Sequence, residues 1–365
     1  MRAANLLLAL ALLTHTAAAR DVVLSNTQLP LDTTGALLFT GELSVVAVNE
    51  SYWVTFINNW GGCAGVDCCD APGSAGCAAC CFAGPDDPCV YTANHTVLAY
   101  GTRDFAVYEP LGVALAPGAR VPGTEFRPQV VFCAATGEYV MWYEDRWTSG
   151  GANPGYAVAT SRAPAGPYTT VAKSVVLGGA GRVGDFDVFV DPADGAAYHV
   201  RTGLTIAPLA ANFSARDAAR GAVNVPNGGV EGPAMFARAG VYYMLVGLGC
   251  CACRGGSNVV VYTAPAPLGP WTHRGDVGSN TTDGHTFNAH SPYNFVTRAQ
   301  QTKVVRVVGA AGQEQWLWIG NAWVTATEPG APRDHDLLYF ALLEFDADGM
   351  IKQMVRADSV TLSVP

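Results

Sequence analysis

Carboxylates stand beside several apolar strand segments of this sequence, where an acid is costly unless it is hydrated, paired or used. Asp185 and Asp187 open the segment "DFDVFV", two residues apart and therefore on one face of a strand. Glu231 precedes the apolar run "AMF", and Glu42 precedes "LSVV". Two or more acids that converge in one pocket suit general acid–base chemistry, and cleavage of a glycosidic bond in particular uses such a pair. The alternative is a structural network in which carboxylates and arginines fill a channel.

These acids accompany a recurring unit, which consists of an apolar strand, a short polar turn and an aromatic-led strand. The unit recurs over residues 44–57, 129–144, 187–202, 234–247 and 303–320. Its turns contain pairs such as Thr-Gly and Asp-Gly that suit tight reversals. Further strand-like segments follow, and two of them end in Ala-Pro-x-Gly-Pro-aromatic. A three- or four-stranded antiparallel unit used repeatedly in this way predicts a five-bladed β-propeller rather than a large β-sandwich.

In a propeller the innermost strands converge on a central channel, so residues near their starts face one shared pocket. Besides the acids above, this rule selects Arg127 before the second unit, Glu144 at its end and His290 ahead of the fifth unit. Trp142 and Tyr293 could stack on sugar rings in such a pocket. Strand-interior aromatics are better explained as core.

The first residues, "MRAANLLLALALLTHTAAAR", combine one positive charge, a short apolar run and small residues, which is the pattern of a signal peptide (1–19) cleaved after Ala19. Residues 20–365 are then expected to form a single propeller domain of a secreted, extracellular protein without membrane insertion. That location agrees with N-x-S/T sequons at Asn49, Asn94, Asn212 and Asn280. A net charge of -9 with 14% charged residues argues against a nucleic-acid partner.

The cysteines are typical of an oxidising compartment, where disulfides are more common than zinc thiolates. Seven of the 11 lie within residues 63–89, an insertion in the first blade, and three lie in "CCAC" at 250–253. If these all pair, at least one disulfide joins the two clusters. Cys133 is left over inside the strand-like "VVFCA" and is expected to be a buried thiol.

Four segments together resemble glycoside hydrolase family 43, and within it most closely the exo-β-1,3-galactanase branch: "FRPQVVFCAATGEYVMWYEDR", "GDFDVFVDPADGAAYHV", "VEGPAMFARAGVYYML" and "APLGPW". Their order and spacing carry the resemblance, which extends over residues 30–355 apart from the cysteine-rich insertion. The resemblance implies an all-β, five-bladed propeller and a glycosidase. We expect exo-action on a polysaccharide or glycan of the galactan, arabinan or xylan type.

The resemblance also assigns roles residue by residue. Glu231 matches the family's general acid, and Asp185 matches the acid that sets its pKa and orients the substrate. The family's usual base is an aspartate at the start of the first blade, where this sequence has Thr40. The galactanase-like branch lacks this aspartate as well and uses a glutamine of the last blade, in whose place His290 stands here. Glu42, two residues after Thr40, is the other candidate base. The H-G-G-G motif of that branch is absent, so galactan specificity does not carry over.

The expected substrate-binding residues are Arg127, Glu144, Trp142, Tyr293 and Asn321. The Asp-rich segments at 191–195 and 346–349 lack the other ligands of a calcium loop and are expected to be turns. No cofactor and no metal site are expected, with a cation in the channel left as an alternative. We expect a monomer. The competing functions are a carbohydrate-binding propeller that has lost its base and an extracellular interaction scaffold.

Overall fold

The computed structural model describes residues 20–38, 40–59, 96–121, 124–146, 155–180, 183–226, 231–247, 256–279, 295–322 and 337–365, with only the backbone at 124–126 and 145–146. Within these ranges the chain forms antiparallel sheets and a two-stranded ribbon, and its one helical segment is a 3₁₀ turn at Pro117–Ala119. The expectation of an all-β protein is confirmed.

Five sheets each place their strands in sequence order, so every connection within a sheet joins antiparallel neighbours. The first contains β2 (Gly41–Asn49), β3 (Tyr52–Asn59), β4 (Thr96–Thr102) and β5 (Glu109–Leu115). The second contains β6 (Thr124–Cys133), β7 (Glu138–Arg146), β8 (Gly155–Ser161) and β9 (Thr169–Val175). The third contains β10 (Phe186–Val190), β11 (Ala197–Arg201), β12 (Thr205–Pro208) and β13 (Val223–Asn224). The fourth contains β14 (Glu231–Arg238), β15 (Val241–Gly247), β16 (Val260–Ala264) and β17 (Thr272–Asp276). The fifth contains β18 (Gln300–Val308), β19 (Glu314–Ala322) and β20 (Leu337–Leu342).

The five sheets are blades arranged around a channel. Their first strands contact one another in sequence order, and β18 returns to β2. Apolar clusters fill each gap between neighbouring blades, so burial of the sheet faces holds the ring together. A ribbon of β1 (Arg20–Ser25) and β21 (Ser359–Val364) covers the seam between the fifth and first blades, where Leu24 and Leu362 share a cluster with Trp53. The predicted five-bladed β-propeller is confirmed.

Four of these innermost strands contain a β-bulge near their start. The register shifts between Gly41 and Ser44, Phe126 and Gln129, Glu231 and Ala234, and Gln301 and Lys303. Left-handed backbone lies in three of the bulges, at Glu42 (φ 53°), Arg127 (φ 48°) and Gly232 (φ 58°). Such a conformation is uncommon for residues other than glycine and tends to mark functional sites. A bulge also breaks the alternation of side chains, so it changes which residues face the channel.

The five predicted hairpins are the first two strands of the five blades. The fifth inner strand begins at Gln300, ahead of the predicted start at 303. Both Ala-Pro-x-Gly-Pro segments form the same turn ahead of an outer strand, each with a cis Gly-Pro peptide bond. The Asp-rich segments at 191–195 and 346–349 are turns closed by a glycine N–H, as expected.

Cys133 is a buried thiol at the end of β6, as expected. The predicted signal peptide, the insertion at 63–89 and the cysteines at 250–253 lie outside the described residues. In the part of the chain that the structure describes, no helix has the length and apolar character needed to cross a membrane.

Candidate active site

Arg127 lies at the centre of the candidate site. Its Nε is 3.1 Å from Asp185 Oδ1 and 3.9 Å from Glu42 Oε1, and its Nη2 donates to the carbonyl of Gln301 at 3.2 Å. The buried guanidinium thus connects the first, second, third and fifth blades. Burial lowers the pKa of Arg127, but neighbouring carboxylates outweigh it and raise this pKa above its ordinary value. These carboxylates belong to Asp185, Glu42, Glu144 and Glu231.

Glu42 is buried where β2 meets β6. Its Oε2 accepts the backbone N–H of Arg127 at 2.7 Å and Nδ2 of Asn58 at 3.3 Å. Burial is the main cause that raises the pKa of Glu42 to about 8, and the charges of Asp185 and Glu144 add to it, while Arg127 acts in the opposite direction. A base must be deprotonated to accept a proton, so this environment argues against Glu42 as the base at neutral pH.

Asp185 is connected to Glu231 through the bulge of β14. Its Oδ2 accepts the N–H of Gly232 at 3.1 Å and the Nε2 of Gln300 at 3.0 Å. Gly232 follows Glu231 directly, and a Cβ at Gly232 would lie 3.2 Å from both Gln300 Cγ and Gln301 O. Glu231 itself is half-buried as the first residue of β14. Asp185 therefore fixes the backbone beside Glu231 while Glu231 stays partly exposed.

Among the described residues of this cluster, acids outnumber cations. Glu42, Glu144, Asp185 and Glu231 all act on the single guanidinium of Arg127. Of these four acids, Glu42 has a pKa raised to about 8, mainly by burial, so this carboxyl holds a proton at neutral pH.

A second polar layer lies two residues further along the inner strands. Asp187, two residues after Asp185, accepts the N–H of Met235 at 2.9 Å and forms an ion pair with Lys303. The ammonium of Lys303 also donates to Gln129 Oε1 at 3.3 Å. The channel is therefore lined by charged and polar groups over two layers.

Several predicted binding residues are buried. Trp142 is 0% exposed in the apolar cluster between the second and third blades, and its Nε1 donates to the carbonyl of Phe213 at 2.7 Å. It therefore presents no face to a sugar, and its expected substrate-binding role is corrected to a core role. Asn321 is buried in β19, and its Nδ2 donates to the carbonyl of Thr40, which joins the fifth blade to the first. Glu144 is also buried, and its charge raises the pKa of Glu42 and of Arg127.

The predicted set and the observed site overlap in part. The structure brings together Glu231, Asp185, Glu42, Arg127 and Glu144. The predicted residues His290 and Tyr293 lie outside the described residues. Gln300 and Lys303 belong to the site but are absent from the predicted set. Lys303 is the first residue of the predicted fifth unit and so already meets the rule for inner-strand starts, whereas Gln300 meets it only when the strand begins at 300.

A metal ion has no evident site in the described ranges, because no three His, Cys, Asp or Glu side chains among them come together in a suitable group.

Solved structures of sugar-cleaving enzymes align with most of the chain. A family 43 β-1,3-galactosidase with galactodeoxynojirimycin aligns at a TM-score of 0.67 and 21% identity, over 92% of this chain and 99% of that one. An exo-β-1,3-galactanase from Phanerochaete chrysosporium, with β-1,3-galactotriose, aligns at a TM-score of 0.67 and 19% identity, over 92% of this chain and 67% of that one. An exo-β-1,3-galactanase from Clostridium thermocellum aligns at a TM-score of 0.67 and 19% identity, over 93% of this chain and 68% of that one. This chain shares their fold. No protein-family model and no curated protein matches it.

Proposed function

We propose that the protein is a secreted glycoside hydrolase that removes sugar units from the end of a galactan-type polysaccharide or glycan, with Glu231 as general acid. One observation carries the proposal: Glu231 is partly exposed on a bulge whose next amide is bound by Asp185, beside a cluster in which the described acids outnumber the described cations. The names of the solved structures with this fold, exo-β-1,3-galactanases and a β-1,3-galactosidase, support the same reaction class. They are also the reason for proposing a galactan-type substrate, which the sequence alone does not favour because it lacks the H-G-G-G motif.

The proposed reaction uses one proton donor and one proton acceptor. Glu231 gives its proton to the glycosidic oxygen as the bond from that oxygen to the anomeric carbon breaks. A water molecule attacks the anomeric carbon and loses a proton to the base, so the released sugar gains the hydroxyl group. Because the raised pKa of Glu42 keeps it protonated at neutral pH, His290 remains the predicted base. Asp185 keeps the Glu231 bulge in place through the Gly232 N–H.

The experiment is sugar release by the disulfide-intact protein from β-1,3-galactan, arabinogalactan, arabinan and xylan, with Glu231→Gln measured beside it. We expect one polysaccharide to yield monosaccharide from the outset, and the variant to lose this activity while its thermal unfolding stays cooperative. Release of mixed oligosaccharides would exclude exo-action. Equal release by parent and variant would exclude Glu231 as the acid.

A second candidate function is a sugar-binding propeller without catalysis. It is favoured by the first blade, where Thr40 replaces the family's aspartate and the nearest acid, Glu42, has a raised pKa. This candidate predicts that parent and Glu231→Gln release no sugar from any substrate, yet both bind galactodeoxynojirimycin or β-1,3-galactotriose in calorimetry.

The secreted location is proposed from the N-terminal sequence and from two sequons whose asparagines are exposed, one at the end of β2 and one in a turn. In both, at Asn49 and Asn212, the Oδ1 accepts the N–H of the serine two residues later. After expression in a secreting eukaryotic cell, the protein should be found in the culture medium with Arg20 as its first residue. The Asn49→Gln and Asn212→Gln variants should each be lighter by the mass of one glycan. Full retention in the cytosol would contradict the proposal.

A further inference from the structure

Lys303 places an ammonium group in the channel, one layer along from Arg127. Its Nζ pairs with Asp187 Oδ1, and it donates to Gln129 Oε1 at 3.3 Å and to the carbonyl of Val188 at 3.4 Å. An ammonium has three donors, and these are three acceptors. The Asp187 side chain is 0% exposed and that of Lys303 is 13% exposed, so the pair is shielded from water.

The contacts of this ammonium extend to all five blades. Lys303 belongs to the fifth blade, Gln129 to the second and Asp187 to the third. Gln129 Oε1 also accepts the hydroxyl of Ser44 in the first blade at 3.3 Å. Asp187 Oδ2 accepts the N–H of Met235 in the fourth blade at 2.9 Å. One cation thus organises a polar layer that joins every inner strand.

The two aspartates of the third blade bind opposite ends of the bulge that carries Glu231. Asp185 binds the N–H of Gly232 and Asp187 binds the N–H of Met235. Between these two amides the register of β14 against β15 shifts. The position of Glu231 therefore depends on both carboxylates, and only one of them, Asp185, belongs to the layer of Arg127.

We propose that Lys303 is a positioning residue for Glu231, acting through Asp187 and the Met235 amide. The proposal rests on the catalytic role proposed for Glu231. Without the ammonium, Asp187 is a buried carboxylate with no compensating charge from Lys303, and it must take up a proton or turn away. Either change weakens its bond to Met235 and loosens one end of the bulge. A displacement of about 1 Å at a catalytic group can cost roughly 100-fold in rate.

The test compares Lys303→Met with the parent and with a matched control, Tyr242→Phe. The control removes a 2.8 Å hydrogen bond from Tyr242 to Asp191, which also joins the third and fourth blades but does not touch the bulge. Because Lys303→Met alone could fail to fold, the double variant Lys303→Met/Asp187→Asn is included, in which neither partner is charged.

Two readouts separate positioning from general stability. The first is the rate of sugar release, where we expect kcat to fall roughly 100-fold in Lys303→Met and about tenfold in the double variant, with KM little changed. The second is hydrogen exchange of the peptide containing Met235, expected to be roughly tenfold faster in both variants. Tyr242→Phe should change neither kcat nor the exchange rate at Met235, even if its melting temperature falls as much as that of Lys303→Met.

Each outcome has a definite meaning. A double variant that folds with the parent's kcat and exchange at Met235 would overturn the positioning role. Equal loss of kcat in Tyr242→Phe would assign the effect to general stability and overturn it as well. If the parent itself releases no sugar, the proposed function fails, and hydrogen exchange at Met235 alone still decides whether Lys303 holds the bulge.

Discussion

Replacing Glu42 by glutamine tests the charge state of the buried cluster through the stability of the protein. Burial is the main cause that raises the pKa of Glu42 from 4.5 to about 8 in the folded state. The folded state therefore holds this proton more tightly than the unfolded state does. The stability that the proton contributes is complete below the unfolded pKa of 4.5 and is lost as the pH rises through about 8.

The magnitude follows from the size of the shift. Each unit of pKa difference corresponds to about 1.4 kcal/mol, so Glu42 should cost the parent roughly 3 kcal/mol of unfolding free energy between about pH 5 and about pH 7. Glutamine cannot ionise and resembles the protonated acid. Its side-chain oxygen can still accept the N–H of Arg127, which Glu42 accepts at 2.7 Å.

The assay is urea unfolding of the parent and Glu42→Gln at several pH values between about 5 and 8. The stability of the parent relative to the variant should decline by about 1.4 kcal/mol per pH unit. Glu344→Gln is the control, because the Glu344 side chain is 72% exposed and pairs only with Lys352 in the described contacts. Parallel pH profiles for parent and Glu42→Gln would refute the reasoning about a protonated, buried Glu42.

Three further predictions concern the core and the bulge. Burial lowers the pKa of His199 well below its ordinary value of 6.5, so the parent should lose up to about 1.4 kcal/mol per pH unit below 6.5, and His199→Phe should remove this loss in acid unfolding curves. Gly232→Ala should cost about 1–2 kcal/mol in urea unfolding and lower kcat, because φ is 58° and neighbours lie 3.2 Å from the new Cβ. Gly240→Ala, at φ 78° with no neighbour within 4 Å, is its control and should keep kcat. Trp142→Phe should cost about 1–3 kcal/mol of unfolding free energy, because it shrinks a core side chain and removes the hydrogen bond to the carbonyl of Phe213. KM for the sugar substrate should stay unchanged, and a raised KM would contradict the placement of Trp142 in the core.

The fold could be predicted from the sequence because the hairpin unit recurs with its turns intact. Asp185 and Glu231 could be placed for the same reason, since each stands at the start of an inner strand. The signal is local in both cases: an alternation of apolar and polar residues, followed by a glycine-containing turn. Repetition then specifies the propeller, because each blade needs neighbours to bury its faces.

The remaining parts of the site depend on features that have no local signal. Glu42 and Arg127 face the channel on left-handed bulges, and neither is a glycine that would announce the conformation. The simple alternation that places Glu42 on the face of Thr40 does not hold across such a bulge. The local pattern makes Lys303 the first residue of a hairpin, while its partners come from other blades more than 100 residues away. Trp142 matched a sugar-stacking residue by type, and only its burial shows that it is core.

The role of Glu231 as general acid is tested most directly by the dependence of its substitution on the leaving group. Parent and Glu231→Gln would be assayed on β-1,3-galactobiose, whose leaving sugar needs a proton, and on a dinitrophenyl β-galactoside, whose leaving group does not. We predict that the substitution lowers the rate on galactobiose by about 1,000-fold and the rate on the aryl galactoside by less than about tenfold. An equal loss on both substrates, or no loss on galactobiose, would contradict the account.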